Sequence, residues 1–318
     1  MISLGVECTA HTFGVGLVED GRVLSNERDV YKPALGSGII PMEAAKHHDQ
    51  VSGTILENAL SKAGIGLGDV DVFSVSCGPG LPPCLLSGVR FAVRVAKGKP
   101  VVPVNHCVAH IEIGKLDSGC KDPLTLYVSG GNTQVMGLEK KRYRVFGETL
   151  DIGVGNALDK FGREVGLDNP AGPEVEKTAI GGRYVELPYT VKGMDLAFSG
   201  ILTAALRRRE KVALKDLCFS FQETVFSMLC EVTERALAHT GKLEVMVVGG
   251  VAQNRRLFGM LTDMSKAHGA KAYAPRPEWC GDNGAMIAYA GLLAFRHGSR
   301  ERMEVQPRWR TDSVAINW

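Results

Sequence analysis

The first thirty residues alternate short apolar blocks with small or polar turns. ISLGVECTAHTFGVGLVEDGRVLSNERDV reads as an apolar strand, a small-residue turn, a second strand, a turn at Asp20 and Gly21, and a third strand. The same order returns from residue 124, where LTLYVSGGNTQVMGLEKKRYRVFGETLDIG gives strand, glycine turn, strand, charged turn and strand. Each meander is followed by a strand, a glycine-rich turn, a helix and another strand: DVFSVSCGPGLPPCLLSGVRFAVRVAKGKPVVPVN in the first half, EVMVVGGVAQNRRLFGMLTDMSKAHGAKAYAP in the second. A duplication of this kind predicts an α/β protein of two similar domains, each a mixed sheet flanked by helices, with ligand held in the cleft they flank.

Composition narrows this picture. At 318 residues and 34.2 kDa the chain has room for two well-buried cores. Its 45% hydrophobic and 23% charged residues are ordinary for a globular protein and exclude extensive disorder. Glycine is the outlier at 38 residues, so tight turns and close backbone approaches are expected. The net charge of +2 does not by itself advertise nucleic-acid binding, and the run Arg207, Arg208 and Arg209 reads as a solvated helix face. Eight cysteines form no CxxC pair and the N-terminus lacks a basic and apolar leader, so a cytoplasmic protein with free thiols is expected. AMIAYAGLLAF at 285–295 is too short for a membrane span and reads as a buried helix, so no membrane partner is expected.

The candidate chemistry sits mostly at the turns. In PVNHCVAHIEIGKL, His106 and His110 stand four apart. On a helix their rings lie about 40° apart around the axis and one turn along it, so both can face one ion. Half-buried helix histidines are the alternative. The position after His106 holds Cys107 where an HExxH protease needs its glutamate, which removes that hydrolytic route. Cys107 is a soft third ligand or, more simply, a small buried thiol. Asp282, just ahead of a helix, supplies a carboxylate opposite two imidazoles, although an aspartate there is ordinarily an N-cap. The run Ser129, Gly130, Gly131, Asn132, Thr133 after Val128 offers backbone N–H groups and two hydroxyls to an anion. Gly249 and Gly250 end a strand before a helix starting near Gln253 and Asn254, whose N-terminus favours negative charge. Asp159, off the Leu158–Phe161–Val165 stripe, suits ribose hydroxyls or an ion pair with Arg163. The NPAGP turn delivers Glu176 on the next helix, where a solvated carboxylate is the plain alternative.

Taken in order, NHCVAH, YVSGGNTQ, GETLDIGVGNALDKF, ELPYTVKGMDLAFSG, SFQETVF, VVGGVAQNRRL and DNGAMIAY closely resemble the KEOPS-complex subunit family that transfers threonylcarbamoyl to tRNA in archaea and eukaryotes. That family is related to the bacterial enzyme formerly called an O-sialoglycoprotein endopeptidase. The resemblance runs from Ile2 to the chain end. It implies an actin-like, sugar-kinase-like and heat-shock-chaperone-like ATPase fold. The first domain would span 1–115, with 285–318 packing back on it. The second would span 116–284 and carry a family-specific insertion near 153–200.

The same resemblance implies iron or zinc on His106, His110, Asp282 and the phenol of Tyr127. ATP or threonylcarbamoyl-adenylate would lie on Tyr127, Val128, Ser129, Gly130, Gly131, Asp159, Gly172, Glu176, Gly249, Gly250 and Asn254. The reaction implied is acyl transfer from the adenylate to the exocyclic amine of the adenosine beside the anticodon, with Glu7 and His11 as acid–base or phosphate-orienting candidates. Implied partners are tRNA, a small dimerising subunit, a small protein kinase that follows in the same polypeptide in some archaea, and a further regulatory subunit. Two departures from the family pattern, Cys8 and Ala171, each replace a usual glycine. A kinase of the same fold and a non-catalytic ATP-dependent scaffold are the competing readings.

Overall fold

The computed structural model describes residues 1–33, 38–168, 170–299 and 301–318; Asn169 of the NPAGP turn lies outside the described residues. The opening meander is β1 (Ile2–Glu7), β2 (Thr12–Glu19) and β3 (Arg22–Val30), followed by α1 (Pro41–Ala63), β4 (Val72–Gly78), α2 (Pro82–Ala96), β5 (Val101–Asn105) and α3 (His106–Ser118). The second meander is β6 (Leu124–Val128), β7 (Thr133–Glu139) and β8 (Arg142–Glu148). After it come α4 (Val154–Glu164), α5 (Ala171–Thr178), the short strands β9 (Val191–Lys192) and β10 (Asp195–Leu196), α6 (Ser199–Leu206) and α7 (Leu214–Thr240). The chain ends with β11 (Glu244–Val248), α8 (Arg255–Ala267), β12 (Lys271–Tyr273), α9 (Pro277–Cys280) and α10 (Gly284–Arg296).

The duplication is real at the level of topology. One sheet has the order β3-β2-β1-β4-β5 and the other β12-β11-β6-β7-β8, so each places an antiparallel meander beside two parallel strands. The chain divides into two compact units, Met1–Asp117 with Glu139–Tyr143 and Gly281–Trp318, and Ser118–Leu138 with Arg144–Cys280.

In the first unit, β1 is buried along nearly its whole length because helices cover both faces. Side chains alternate across a strand, so Gly5 faces α10 while Val6 faces α2, near Gly88. The contact with α10 needs glycine on both sides. A Cβ added at Gly16 would lie 2.1 Å from the Ala285 nitrogen, and one at Gly5 2.1 Å from the Ala288 nitrogen. This approach of backbone to backbone holds the start of α10, and hence Asp282, against the sheet. Gly16→Val is expected to destabilise the first unit by about 3 kcal/mol, the upper range for forced overpacking, as read by chemical denaturation; parental stability would show that α10 shifts at no cost.

Also in this unit, His48 of α1 is fully buried with its ring 5.5 Å from that of Phe13. Burial, with His47 adding repulsion, pushes its pKa down to about 4. The folded state thus binds fewer protons than the unfolded one between about pH 6.5 and about 4, and stability falls as pH drops through that window. In thermal melts across this range, His48→Leu is expected to flatten the acid limb; an unchanged slope would place the acid sensitivity elsewhere.

In the second unit the core gathers around α7, where Phe221, Val225, Phe226 and Leu229 are buried and Phe221 stacks on Phe161 of α4 with centroids 4.4 Å apart. Residues 207–209 follow the end of α6 in a turn, so the triple arginine is not on a helix as its sequence suggested. Among the described residues no helix is long and apolar enough to cross a membrane, and the apolar run at 285–295 is the buried α10.

Candidate functional site

In the first unit, parallel strands β1 and β5 deliver two functional groups at their C-terminal ends. Asn105 closes β5 and turns its side-chain oxygen onto the N–H groups of Cys107 (3.0 Å) and Val108 (3.2 Å), which caps α3 and makes His106 its first residue. His110 follows one turn later. The two rings stand with centroids 4.7 Å apart and planes at 85°, and their exposures are 6% and 1%. Both Nε2 atoms face Oδ1 of Asp282, at 3.5 Å from His106 and 3.2 Å from His110.

For Asp282 the alternative to a metal ligand was an ordinary N-cap, and the structure gives that work to its neighbour. Asn283 accepts the Met286 N–H at 2.9 Å, which frees the Asp282 carboxylate for the histidines. Arg28 reinforces the turn by donating to the Asp282 carbonyl at 2.9 Å. Glu7, at the end of β1, is fully buried, accepts the Thr9 N–H, and lies 3.0 Å from Nδ1 of His106. That pairing holds the His106 ring with its Nε2 directed at Asp282. His11 lies in the β1–β2 turn, half-buried.

Electrostatics follow from this packing. Burial opposes charge on His106, yet Glu7 and Asp282 outweigh it and push its pKa up to about 9. Burial holds His110 below its usual value. Burial also works against the Asp282 carboxylate, but the two imidazoles keep it well below the usual carboxylate range. The residues fit a metal: two imidazole nitrogens and one carboxylate oxygen lie within 4.8 Å of one another, the donor chemistry that suits iron or zinc. Cys107 is buried and is not part of this donor group.

In the second unit the two glycine turns leave the C-terminal ends of neighbouring parallel strands. β6 and β11 pair through Tyr127 and Val248, so Ser129–Asn132 and Gly249–Gly250 emerge on one edge of the sheet. Open α/β sheets bind ligands at such an edge. Gly249 has φ +97°, and a Cβ there would meet the Val128 carbonyl oxygen at 2.3 Å, so only glycine lets the two turns approach this closely. Tyr127 is fully buried beside Gly249.

The polar side chains have definite local partners. Ser129 Oγ receives the Asn132 N–H at 3.1 Å, and Thr133 Oγ1 receives the Val154 N–H at 2.8 Å, so both hydroxyl oxygens help tie the turn together. Asp159 accepts the Gly172 N–H at 3.0 Å, and Glu176 accepts the Arg255 N–H at 2.8 Å. Asn254 caps α8 through the Leu257 N–H (3.0 Å) while its amide donates to Gln222 at 3.1 Å. These bonds draw α4, α5 and α8 together around the glycine edge, with Gly130 and Gly131 exposed on it.

Reasoning from sequence alone missed Asn105, Asn283 and the pairing of Glu7 with His106. The two asparagines each stand just before a helix, a signal that was available.

A duplicated five-stranded sheet with helices on its faces defines the actin-like, sugar-kinase-like and heat-shock-chaperone-like ATPase class. Solved structures bear this out as fold. The full-length HypF structure in its phosphate- and nucleotide-bound form aligns with a TM-score of 0.65 at 13% identity, over 94% of this chain and 47% of that one. A ROK hexokinase from Thermus thermophilus aligns with a TM-score of 0.53 at 14% identity, over 94% of this chain and 100% of that one. Within the class, residues 22–289 match the TsaD family, tRNA N6-adenosine threonylcarbamoyltransferase, and the chain belongs to that family. The family's member from Thermococcus kodakarensis is 53% identical, over 100% of both chains. A probable bifunctional tRNA threonylcarbamoyladenosine biosynthesis protein from Methanothermobacter thermautotrophicus is 51% identical over 100% of this chain and 61% of its own length. The protein is therefore a transferase.

Proposed function

We propose that this transferase moves the threonylcarbamoyl group from threonylcarbamoyl-adenylate to the exocyclic amine of the adenosine beside the anticodon of tRNA, releasing AMP. It does so as the catalytic subunit of a KEOPS-type complex in the cytoplasm. The observation that carries this reading is the His106–His110–Asp282 donor group backed by Glu7, in a chain of the threonylcarbamoyltransferase family.

In the reaction the amine forms a bond to the carbamoyl carbon, the bond from that carbon to the phosphate oxygen breaks, AMP departs, and the amine gives up a proton. His106, His110 and Asp282 would hold an iron or zinc ion, which when bound would supply positive charge and Lewis acidity. The chain's own groups do the rest. Glu7 fixes the orientation of the His106 ring rather than acting as base, since its carboxylate is already engaged by Thr9 and His106. On this reading His11, in the β1–β2 turn, would take the amine proton. In the same reading the backbone of Gly130, Gly131, Gly249 and Gly250 would meet the adenylate phosphate, Asp159 and Glu176, which accept the Gly172 and Arg255 N–H groups, would face the ribose, and Asn254 would orient the nucleotide. ATP would use the same turns. The additional length of the bifunctional relatives suits an attached protein kinase, and a dimerising and a regulatory subunit complete the proposed complex.

The test supplies threonylcarbamoyl-adenylate, unmodified tRNA and partner subunits, then measures modified nucleosides by mass spectrometry alongside AMP and ADP. Threonylcarbamoyladenosine with stoichiometric AMP is the expected result. ADP with a phosphorylated small acceptor would overturn the proposal.

A further inference from the structure

Residues 182–190, between α5 and β9, form an extended strap along α7. The Arg183 N–H donates to Asp216 at 2.8 Å and the Val185 N–H to Ser220 Oγ at 2.7 Å. The Tyr184 hydroxyl bonds with Thr224 at 3.4 Å, and the Tyr189 hydroxyl donates to Glu231. The partners at 216, 220, 224 and 231 step along one side of the helix, so the strap is held at several points along its length. Strap and helix enclose a groove of about 340 Å³ lined by Tyr184, Tyr189, Phe219, Glu223, Thr224 and Ser227. Tyr184 is 54% exposed and Tyr189 49%, so two aromatic rings are held at the surface without serving the core.

One end of this groove is basic. Gly182 packs on Phe219 and on the carbonyl of Lys215, and the Arg208 guanidinium donates to the Glu186 carbonyl of the strap, which brings the turn after α6 alongside. From 207 to 215 the chain carries Arg207, Arg208, Arg209, Lys211 and Lys215 against the single acid Glu210. In a protein whose net charge is only +2, this is a local concentration. Of the acids along the groove, Glu223 is paired with Arg256 and Glu231 with Arg235, while Glu186 of the strap is exposed.

Aromatic rings held at a surface beside exposed cations match the chemistry of an unpaired nucleotide, whose base stacks while its phosphate meets guanidinium and ammonium groups. We propose that the strap–α7 groove and the basic turn at 207–215 dock a single-stranded stretch of RNA, with Tyr184 and Tyr189 as the stacking surface. This rests on tRNA being the acceptor, and it assigns part of the acceptor's binding to a face remote in sequence from the histidine cluster.

The experiment measures binding of unmodified tRNA to the full chain across a salt series for two variants, Arg207→Glu/Lys211→Glu and Tyr184→Ala/Tyr189→Ala. All four positions are exposed, and adenine-nucleotide affinity is expected to match the parent in both variants. The tyrosine variant also loses the hydroxyl ties to Thr224 and Glu231. Tyr184→Phe/Tyr189→Phe, which loses the same ties but keeps the rings, is therefore measured beside it and is expected to bind RNA as the parent does. The charge reversal is expected to weaken binding about tenfold or more and to lower the log–log salt slope by about 2. The tyrosine variant is expected to weaken binding about tenfold with its salt slope unchanged. Ultraviolet crosslinking of the parent should attach nucleotides to Tyr184 or Tyr189. RNA affinity within twofold of the parent in both variants, or crosslinks confined to other segments, would overturn the proposal. Equal loss toward heparin and RNA with no effect of the tyrosines would make the face a general anion surface and overturn it as well. Loss of threonylcarbamoyl transfer with these RNA effects intact would count against the proposed reaction and leave the docking surface standing.

Discussion

His106→Ala combined with His110→Ala is expected to reduce bound iron or zinc from about one ion per chain to background and to abolish threonylcarbamoyl transfer. The two rings supply two of the three donors that lie within 4.8 Å of one another. A chelate site that loses two ligands does not hold its ion. The fold is expected to persist, because α3 keeps its Asn105 cap and its buried apolar residues, and the Asp282 side chain, 20% exposed, retains access to water. Elemental analysis and circular dichroism on the same preparation check both halves of the expectation. Glu7→Gln provides a graded comparison, since it keeps the shape beside His106 while removing the charge. It is expected to cost about 10- to 100-fold in metal affinity, as for other groups that orient a ligating histidine. Equal metal content in the parent and the double variant would return both histidines to the role of packed helix residues.

The second large effect separates chemistry from binding. Asp282→Ala is expected to lower kcat by about 100-fold or more with little change in KM for the adenylate, because a donor to a charge-stabilising site acts chiefly in the transition state. Asn254→Ala is expected to do the reverse, raising KM about tenfold while kcat changes little. Asn254 also caps α8, so its removal costs about 1 kcal/mol of stability whatever its role toward nucleotide. Asn254→Ser restores the cap without the amide that donates to Gln222, and in it stability is expected to recover in part while KM stays high. Steady-state kinetics with melting curves on the three variants give the answer. A fall in kcat for Asn254→Ser equal to that for Asp282→Ala would mean that both residues serve the chemical step.

The sequence by itself determined what depends on neighbours in the chain. Strand alternation and turn residues are local properties, so the two meanders, the strand–helix–strand units after them and the duplicated α/β architecture were legible from apolar periodicity. The spacing of His106 and His110 was legible for the same reason, since four residues make about one helical turn. The run of motifs from NHCVAH to DNGAMIAY likewise carried the family. The triple arginine was misread because charge pattern alone does not distinguish the end of a helix from its middle.

Tertiary structure decided whatever joins residues far apart in the chain. Glu7 meets His106 across 99 residues and His110 meets Asp282 across 172, and no local pattern encodes either partner. Those meetings depend on sheet order, which aligns the ends of β1 and β5, and on the glycine-lined approach of α10 to Gly5 and Gly16. The same physics settled which of two adjacent residues caps α10. Asp282 and Asn283 both offer a capping oxygen, but only Asp282 has two buried imidazoles to compensate its charge, so the neutral amide takes the helix and the carboxylate takes the histidines.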